Sequence, residues 1–430
     1  MISRRHLRNH SYEEVKIHLK KFVEKRLGIN QDQQELIVRY LKERSEEVKG
    51  KACFGIVYDV TNYCNLNCAH CAVNAKLTNL PIENISFETS LDEVRTILEK
   101  LHHYVISRSF PRSFLMFGGG EPTLRPDFED ILKIAARLFG RDNIGFNSNG
   151  TCVTPDELIQ LGKCVSIVEI SIDGLEKYHN NWRDPKRITK VTNPFKSTFD
   201  LVSQVVQDRK INNKLEVSSV PTKDNLIELP QLVEFLRQTG VRNYSIHRAM
   251  PVGRMALRLD RVPDARDYAH LLLLMAKQKQ TARMPKLHLH HSLESIYSAL
   301  LIGLDIHHAD LLMSSGRHSI GIDPEGNVFF DPWSVVDPFR RLVSGNLLES
   351  TSDMADLIES EDSVIRITDD ITRKRLRCKA CRMPCCGGMR FNALSYYLSR
   401  LRATGLLDIH EGHFIDGLSQ IDPACPLSDG

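Results

Sequence analysis

Two periodicities alternate along most of the chain. Six apolar runs carry strand-like alternation: CFGIVYDVT (53–61), SFLMFGGG (113–120), NIGFNSNGT (143–151), VSIVEISIDG (165–174), LEVSSVPT (215–222) and YSIHRAMP (244–251). Helical spacing of apolar residues separates or follows them near 90–106, 126–139, 154–163, 194–212, 225–239 and 263–280. Two helix starts are well marked. Ser90 with Glu93 makes a capping box, and Thr154, Pro155 and Glu157 supply a cap, a first-turn proline and a box partner. Ahead of the first strand, YEEVKIHLKKFVEKRL and DQQELIVRYLKERSEEV within 11–48 read as one or two amphipathic helices.

Six β–α units in series predict a parallel sheet with helices outside. Six falls short of the eight that close a full barrel. The predicted fold class is therefore α/β: an incomplete (β/α)6 TIM-like barrel over 51–284, open on one side, after an N-terminal helical segment, 1–50. Chemistry in such folds gathers at the carboxyl ends of the strands, where GGGEP, SNGT, SIDG and PVGR fall. After about 285 the rhythm breaks. A hairpin is expected within 315–350, turning at Pro324-Glu325-Gly326, and a small cysteine-rich domain completes 285–430.

Composition narrows the class. The chain has 430 residues and 42% hydrophobic content, enough for a sizeable core. The 57 basic and 54 acidic residues nearly balance, which argues against nucleic acid as a partner. The longest apolar run, LLLLMA at 271–276, is far too short to span a bilayer, and the N-terminus lacks the apolar core of a signal peptide. No membrane association and a cytoplasmic location are expected. There thiols stay reduced, so the eleven cysteines read as metal chemistry rather than disulfides. Cys53, Cys152 and Cys164 sit in strand or helix contexts and read as core thiols.

Cys64, Cys68 and Cys71 form CNLNCAHC directly after the first strand. A structural zinc site fits badly, because zinc usually takes four closed ligands and His70 adjoins Cys71. Three thiolates on an iron–sulfur cluster leave one iron open to a non-protein ligand. This C-x3-C-x2-C set, with GGGEP after the second strand, resembles the radical S-adenosylmethionine superfamily over roughly 52–255. The resemblance implies a [4Fe–4S] cluster on Cys64, Cys68 and Cys71. S-Adenosylmethionine would chelate the fourth iron and be cleaved to a 5′-deoxyadenosyl radical that abstracts hydrogen. Gly118, Gly119 and Gly120 would let backbone approach the ligand, and Glu121 would meet the cofactor's ammonium. His70 falls where the family carries an aromatic residue whose backbone lies near the adenine. SIDG (171–174) and HNNWR (179–183) resemble the peptide-modifying branch, which implies Ser171 at the ribose and Arg183 at the cofactor carboxylate. Asn149 and Asp173 lie at strand ends as further pocket candidates. MPVGR (250–254) resembles the turn beside the adenine.

The tail, CKACRMPCCGGMRFNA from Cys378 and DPACP around Cys425, resembles the SPASM extension of the same superfamily, which commonly binds two auxiliary clusters. Here Ser314 or Ser315, Asp331 and Met389 replace the cysteines that would serve one of them. Cys378, Cys381, Cys386 and Cys425 remain, implying one auxiliary [4Fe–4S] cluster, with Cys385 as an alternative ligand. Zinc is the competing reading of those four. Asp331 is a candidate substrate-binding, catalytic or iron-ligating carboxylate; the alternative is a turn residue ahead of Pro332. The basic run RKRLRCK (373–379) reads as a docking site for an acidic donor or as a solvated face, and HLHH (288–291) as strand-face histidines.

The resemblance implies a radical oxidoreductase acting on a ribosomally made peptide, with a flavodoxin- or ferredoxin-type electron donor. The N-terminal region is too short for a fused leader-binding domain, so a separate leader-peptide-binding protein or direct binding is required. Two alternatives stand beside it: the same chemistry on a small molecule such as a tetrapyrrole or sugar, and a non-catalytic iron–sulfur electron carrier. Glu121 argues against the last, since a pure carrier needs no ammonium acceptor.

Overall fold

The structure is a computed structural model, and it describes residues 24–48, 53–280, 285–289, 319–367, 390–403, 413 and 416, less positions 26, 111, 185, 350 and 352. Ten strands form one sheet among these residues. In chain order they are β1 (Phe54–Thr61), β2 (Ser113–Gly119), β3 (Ile144–Ser148), β4 (Ile167–Ser171), β5 (Leu215–Ser219), β6 (Asn243–Ile246), β7 (Lys286–Leu289), β8 (Ser319–Ile322), β9 (Asn327–Phe329) and β10 (Val343–Asn346). Their spatial order is β10-β9-β8-β1-β2-β3-β4-β5-β6-β7.

All pairs from β8 through β1 to β7 are parallel; β8–β9 and β9–β10 are antiparallel. The six predicted strands are thus present, and the sheet runs past both ends of that set. β7 adds to β6, and β8 pairs with β1 through Ile56 opposite Ile320. The count of parallel strands reaches that of a closed barrel, yet among the described residues the sheet does not close: there β7 pairs only with β6, and the hairpin arm β9 occupies the other edge of β8.

The helices are α1 (Gln31–Val48), α2 (Leu91–Ser107), α3 (Phe128–Phe139), α4 (Pro155–Gly162), α5 (Glu176–Arg183), α6 (Pro194–Val205), α7 (Leu229–Thr239), α8 (Ala265–Lys279), α9 (Met354–Glu359) and α10 (Arg390–Ala403). Both predicted capping boxes form, at Ser90 and Thr154, and Asp264 with Asp267 makes a third. The predicted 194–212 helix breaks after Val205, because the Asp208 carboxylate accepts from the backbone of Lys210 and Ile211 and starts a separate turn. Of the N-terminal helices, α1 is present and packs on α8, with Ile37 and Leu41 fully buried. The segment 11–23 lies outside the described residues.

The two faces of the sheet differ. Ile56, Tyr58, Leu115, Phe117, Val168, Ile170, Val217 and Tyr244 point under the helices and are almost fully buried. Burying each such side chain contributes about 1.5–3 kcal/mol. Intervening positions face the interior, where Asn147, Ser171, Glu216 and His247 are only half-buried. This interior is polar and open, unlike the packed layers that fill a closed barrel.

Candidate active site

The first cysteine loop hangs from the end of β1. A two-residue parallel ladder, Tyr63–Cys64 with Lys76–Leu77, closes its base. Cys64 and Cys68 are buried and Cys71 half-buried. Backbone N–H groups of Leu66 and Ala75 point to the Cys64 and Cys71 sulfurs at 3.4 Å each, and the Asn149 amide nitrogen approaches Cys64 Sγ at 3.8 Å.

Burial raises the Cys64 thiol well above its ordinary value, with Cys68, Glu121 and Cys71 adding like charge. Burial also takes Cys68 up to about 11, against the pull of Arg183 and Arg254. The thiols shed these protons only to a strongly cationic centre. No three His, Cys, Asp or Glu side chains among the described residues converge on a single ion. A set of three soft sulfurs on one loop, with N–H donors aimed at two of them and two guanidiniums nearby, fits an iron–sulfur cluster.

Glycines weld the loop to β2. Gly119 adopts φ +109°, and a Cβ there would lie 2.4 Å from the Thr61 carbonyl oxygen; one on Gly120 would lie 2.0 Å from that of Tyr63. The N–H groups of Gly120 and Glu121 donate to the same carbonyls at 2.7 and 2.8 Å. Gly119 and Gly120 therefore bring backbone to backbone, where ligand approach was expected, and they seat Cys64. At Gly118, which is buried, a Cβ would instead meet side chains, 3.0 Å from Asn147 Oδ1 and 3.2 Å from Asp59 Oδ1. Arg125, also buried, donates to the carbonyls of Val60 and Thr89 at 3.0 Å each and holds the same corner.

Glu121 is fully buried. One carboxylate oxygen accepts from the Thr123 N–H (3.2 Å), the Thr123 hydroxyl (2.6 Å) and the Ser148 hydroxyl (2.8 Å); the other accepts from Asn149 N–H (2.7 Å). Burial still pushes its carboxyl up despite these donors. Asn149 in turn bonds Asn65 at 2.9 Å, so the third strand end grips the cysteine loop.

Asp173 anchors the other side. Arg183 Nε donates to its Oδ2 at 2.8 Å, His70 Nε2 lies 3.1 Å from the same oxygen, and the Val220 N–H donates to Oδ1 at 2.9 Å. Burial alone would raise Asp173, but Arg183 and His70 outweigh it and hold the carboxyl well below the usual range. Burial and Arg183 together depress the His179 ring to about 3, so it stays neutral and accepts from the Asp173 N–H at 3.2 Å. Arg183, expected at the cofactor carboxylate, thus spends Nε on Asp173. The Trp182 carbonyl accepts from Ala69 N–H at 2.7 Å, and Arg254 bonds the carbonyls of Cys71 (2.9 Å) and Cys68 (2.7 Å).

The remaining expected residues are scattered. Ser171 is half-buried at the end of β4, in register with Ser218. Asp331 is fully buried, its Oδ1 capping a short turn through the Trp333 N–H at 2.9 Å, which is the turn-residue placement. Cys378, Cys381, Cys385, Cys386, Cys425, Ser314, Ser315, Met389 and the basic run lie outside the described residues, as do His290 and His291 of HLHH. Sequence reasoning missed the role of Asp173 as a hub, the positioning role of Arg125, and Asp59, an acid inside the apolar run FGIVYDVT. A cleft of about 900 Å³ beside the loop is lined by Lys76, Arg254, Leu257, Glu325, Arg340 and Arg402.

Residues 58–212 match the Radical SAM superfamily. The chain is 26% identical over 204 residues to the AdoMet-dependent heme synthase of Methanosarcina barkeri, covering 46% of this chain and 51% of that one. It is 26% identical over 299 residues to the mycofactocin maturase MftC of Mycobacterium tuberculosis, covering 68% and 67%. The chain spans about half to three-fifths of the length of the heme synthases it matches. Among solved structures, Streptococcus suis SuiB bound to precursor peptide SuiA superposes with TM-score 0.58 at 14% identity, covering 83% of this chain and 76% of that one. The AdoMet-bound anSMEcpe does so with TM-score 0.58 at 16% identity, covering 85% and 100%. These two likenesses concern the fold. Cys64, Cys68, Cys71 and the GGGE corner all lie within the matched region.

Proposed function

We propose that this chain is a radical S-adenosylmethionine enzyme that modifies a ribosomally made peptide. One observation carries the reading: a three-thiol loop is fixed on one side by the GGGE corner and on the other by the Asp173–Arg183–His70 cluster. Cys64, Cys68 and Cys71 would hold the [4Fe–4S] cluster. Gly118, Glu121, His70, Asn149, Ser171 and Arg183 would surround S-adenosylmethionine. The bound pair supplies a 5′-deoxyadenosyl radical for hydrogen abstraction. This chain's own residues keep the thiols together, exclude water behind Glu121 and fix the Arg183 guanidinium through Asp173. Cys378, Cys381, Cys386 and Cys425 would hold one auxiliary cluster.

Peptide substrates are supported by the likeness to SuiB with its precursor peptide, by MftC, and by the open sheet and wide cleft beside the loop. A flavodoxin- or ferredoxin-type donor and, for leader recognition, a separate protein would complete the system. The similarity to heme synthases supports a second reading, the same chemistry on a small molecule. The test is anaerobic reconstitution, reduction and addition of S-adenosylmethionine. The reading requires 5′-deoxyadenosine; its absence with a strong reductant and candidate substrates sinks the enzyme. A Cys64/Cys68/Cys71→Ala triple variant should retain about four irons if the tail binds one cubane.

A further inference from the structure

The segment that follows β6 meets the cysteine loop, and together they border a basin of about 350 Å³. Asn67 and Ala69, the residues on either side of Cys68, line it. The backbone ties there are short. Arg254 Nε donates to the Cys68 carbonyl at 2.7 Å, and Ala69 N–H donates to that of Trp182 at 2.7 Å. Arg258 lies over the Trp182 ring at 5.5 Å from its centre, and that ring lies 5.8 Å from the His70 ring. The basin therefore rests on the loop that carries the thiols.

The charge around it is one-sided. Lys186, Arg254, Arg258 and Arg261 line the basin against one carboxylate, Asp260. Arg261 is matched, since it pairs with Asp224 at 2.6 Å and with Asp260 at 3.0 Å. That leaves Lys186, Arg254 and Arg258 with no carboxylate partner among the described residues. Arg254 Nη2 is buried without a hydrogen-bond partner there, whereas Lys186 and Arg258 are exposed. Leu257, beside Arg258, is 85% exposed. An apolar side chain set among uncompensated cations has the make-up of an interface: charge steers the partner, and the apolar contact holds it.

We propose that this basin docks an acidic one-electron carrier protein, of the flavodoxin or ferredoxin type, against the backbone that flanks Cys68. Charge complementarity selects the occupant. Carboxylates of the carrier would meet Lys186 and Arg258, with Leu257 between them and the loop. In the step served, one electron leaves the reduced carrier and enters the cluster on Cys64, Cys68 and Cys71; no covalent bond is made or broken. The proposal rests on the radical S-adenosylmethionine reading above and gives the electron donor of that reading a place on this chain. The basic run 373–379 is the rival place.

The test uses the full chain, reconstituted anaerobically, with an acidic flavodoxin and an acidic ferredoxin as probes. Association is followed by surface plasmon resonance, and 5′-deoxyadenosine is measured separately with dithionite as reductant. Lys186→Glu/Arg258→Glu should slow association of at least one carrier by about tenfold at low salt, and high salt should narrow the gap. Arg258→Lys keeps the charge and should bind as the wild type does. With dithionite the double variant should form 5′-deoxyadenosine at the wild-type rate, because a small reductant needs no docking. Unchanged association in the double variant overturns the assignment, and so does a loss seen only when Arg373, Lys374 and Arg375 are reversed instead. Equal losses with carrier and dithionite mark a structural role and overturn it too. Displacement of the carrier by an equal concentration of a short polyglutamate peptide overturns it in favour of an acidic substrate segment. A wild type that binds neither carrier yet yields 5′-deoxyadenosine with dithionite loses the docking site alone. One that yields none with dithionite and candidate substrates loses the reading beneath it as well.

Discussion

Two buried carboxylates flank the cysteine loop; burial raises the proton affinity of both, yet they end on opposite sides of the ordinary value. Glu121 meets only neutral donors from Thr123, Ser148 and Asn149, and its proton affinity rises. Asp173 meets Arg183 and His70, and its proton affinity falls far below the ordinary value. Both sit in nearly water-free surroundings. The sign is decided by whether the partners carry charge, because neutral hydrogen bonds offset only part of the desolvation cost while a guanidinium at 2.8 Å reverses it. One flank of the loop is therefore a hydrogen-bonded brace and the other an ion-paired one.

That contrast can be broken. The largest effect is expected from Arg183→Met, which strands Asp173 in the interior and should cost about 3–5 kcal/mol in urea denaturation. Adding Asp173→Asn should restore much of the loss; if the double variant is no better than the single one, the charge account is wrong. Gly120→Ala acts on the Glu121 side through shape alone. Its Cβ meets the Tyr63 carbonyl, and forcing it in should cost about 1–3 kcal/mol and weaken iron retention by the loop.

Glu121→Gln should cost about 1–3 kcal/mol, since an amide group would face the Asn149 N–H that the carboxylate now accepts. The pH limbs sharpen the comparison further. Glu121, raised in the folded state, gives stability that is present below its unfolded value and lost as pH rises through the folded one. Asp173, lowered, gives stability that is present above pH 3.8 and lost as pH falls from there toward its folded value. Urea melts across pH should show the neutral-side slope flattened in Glu121→Gln and the acid-side slope flattened in the Arg183→Met/Asp173→Asn pair. The smallest effect belongs to Asp331→Ala, away from both flanks, at about 1 kcal/mol for a lost cap.

Much of this was legible in the chain. Strands whose alternate residues sit under helices were found from periodicity, and Ser90 and Thr154 cap where their spacing with Glu93 and Glu157 predicts. The GGGE corner and the three thiols are local motifs and came together. What escaped was non-local or short. β7 has four residues, too few for a periodic signal; the hairpin of β8 and β9 was expected, but its pairing with β1 depends on a segment far along the chain. α5 spans eight residues with few apolar positions, and periodicity predicted no helix over 176–183. Asp173 and Asp59 each looked like one polar residue at or near a strand end. Their difference lies in what stands across from them, Arg183 for one and Gly118 for the other, and only the fold brings those residues together.

The seating of β1 between β2 and β8 has a consequence for synthesis. The strand that roots the cysteine loop gains its first neighbour once residue 119 has left the ribosome, but its second only after residue 322 has. For the translation of some two hundred intervening residues, β1 remains a sheet edge with the thiols hanging from its end. On the proposed cluster assignment, delivery of iron and sulfide to Cys64, Cys68 and Cys71 would have a natural interval: after the GGGE corner has formed, and before the hairpin closes the flank of the strand that carries them.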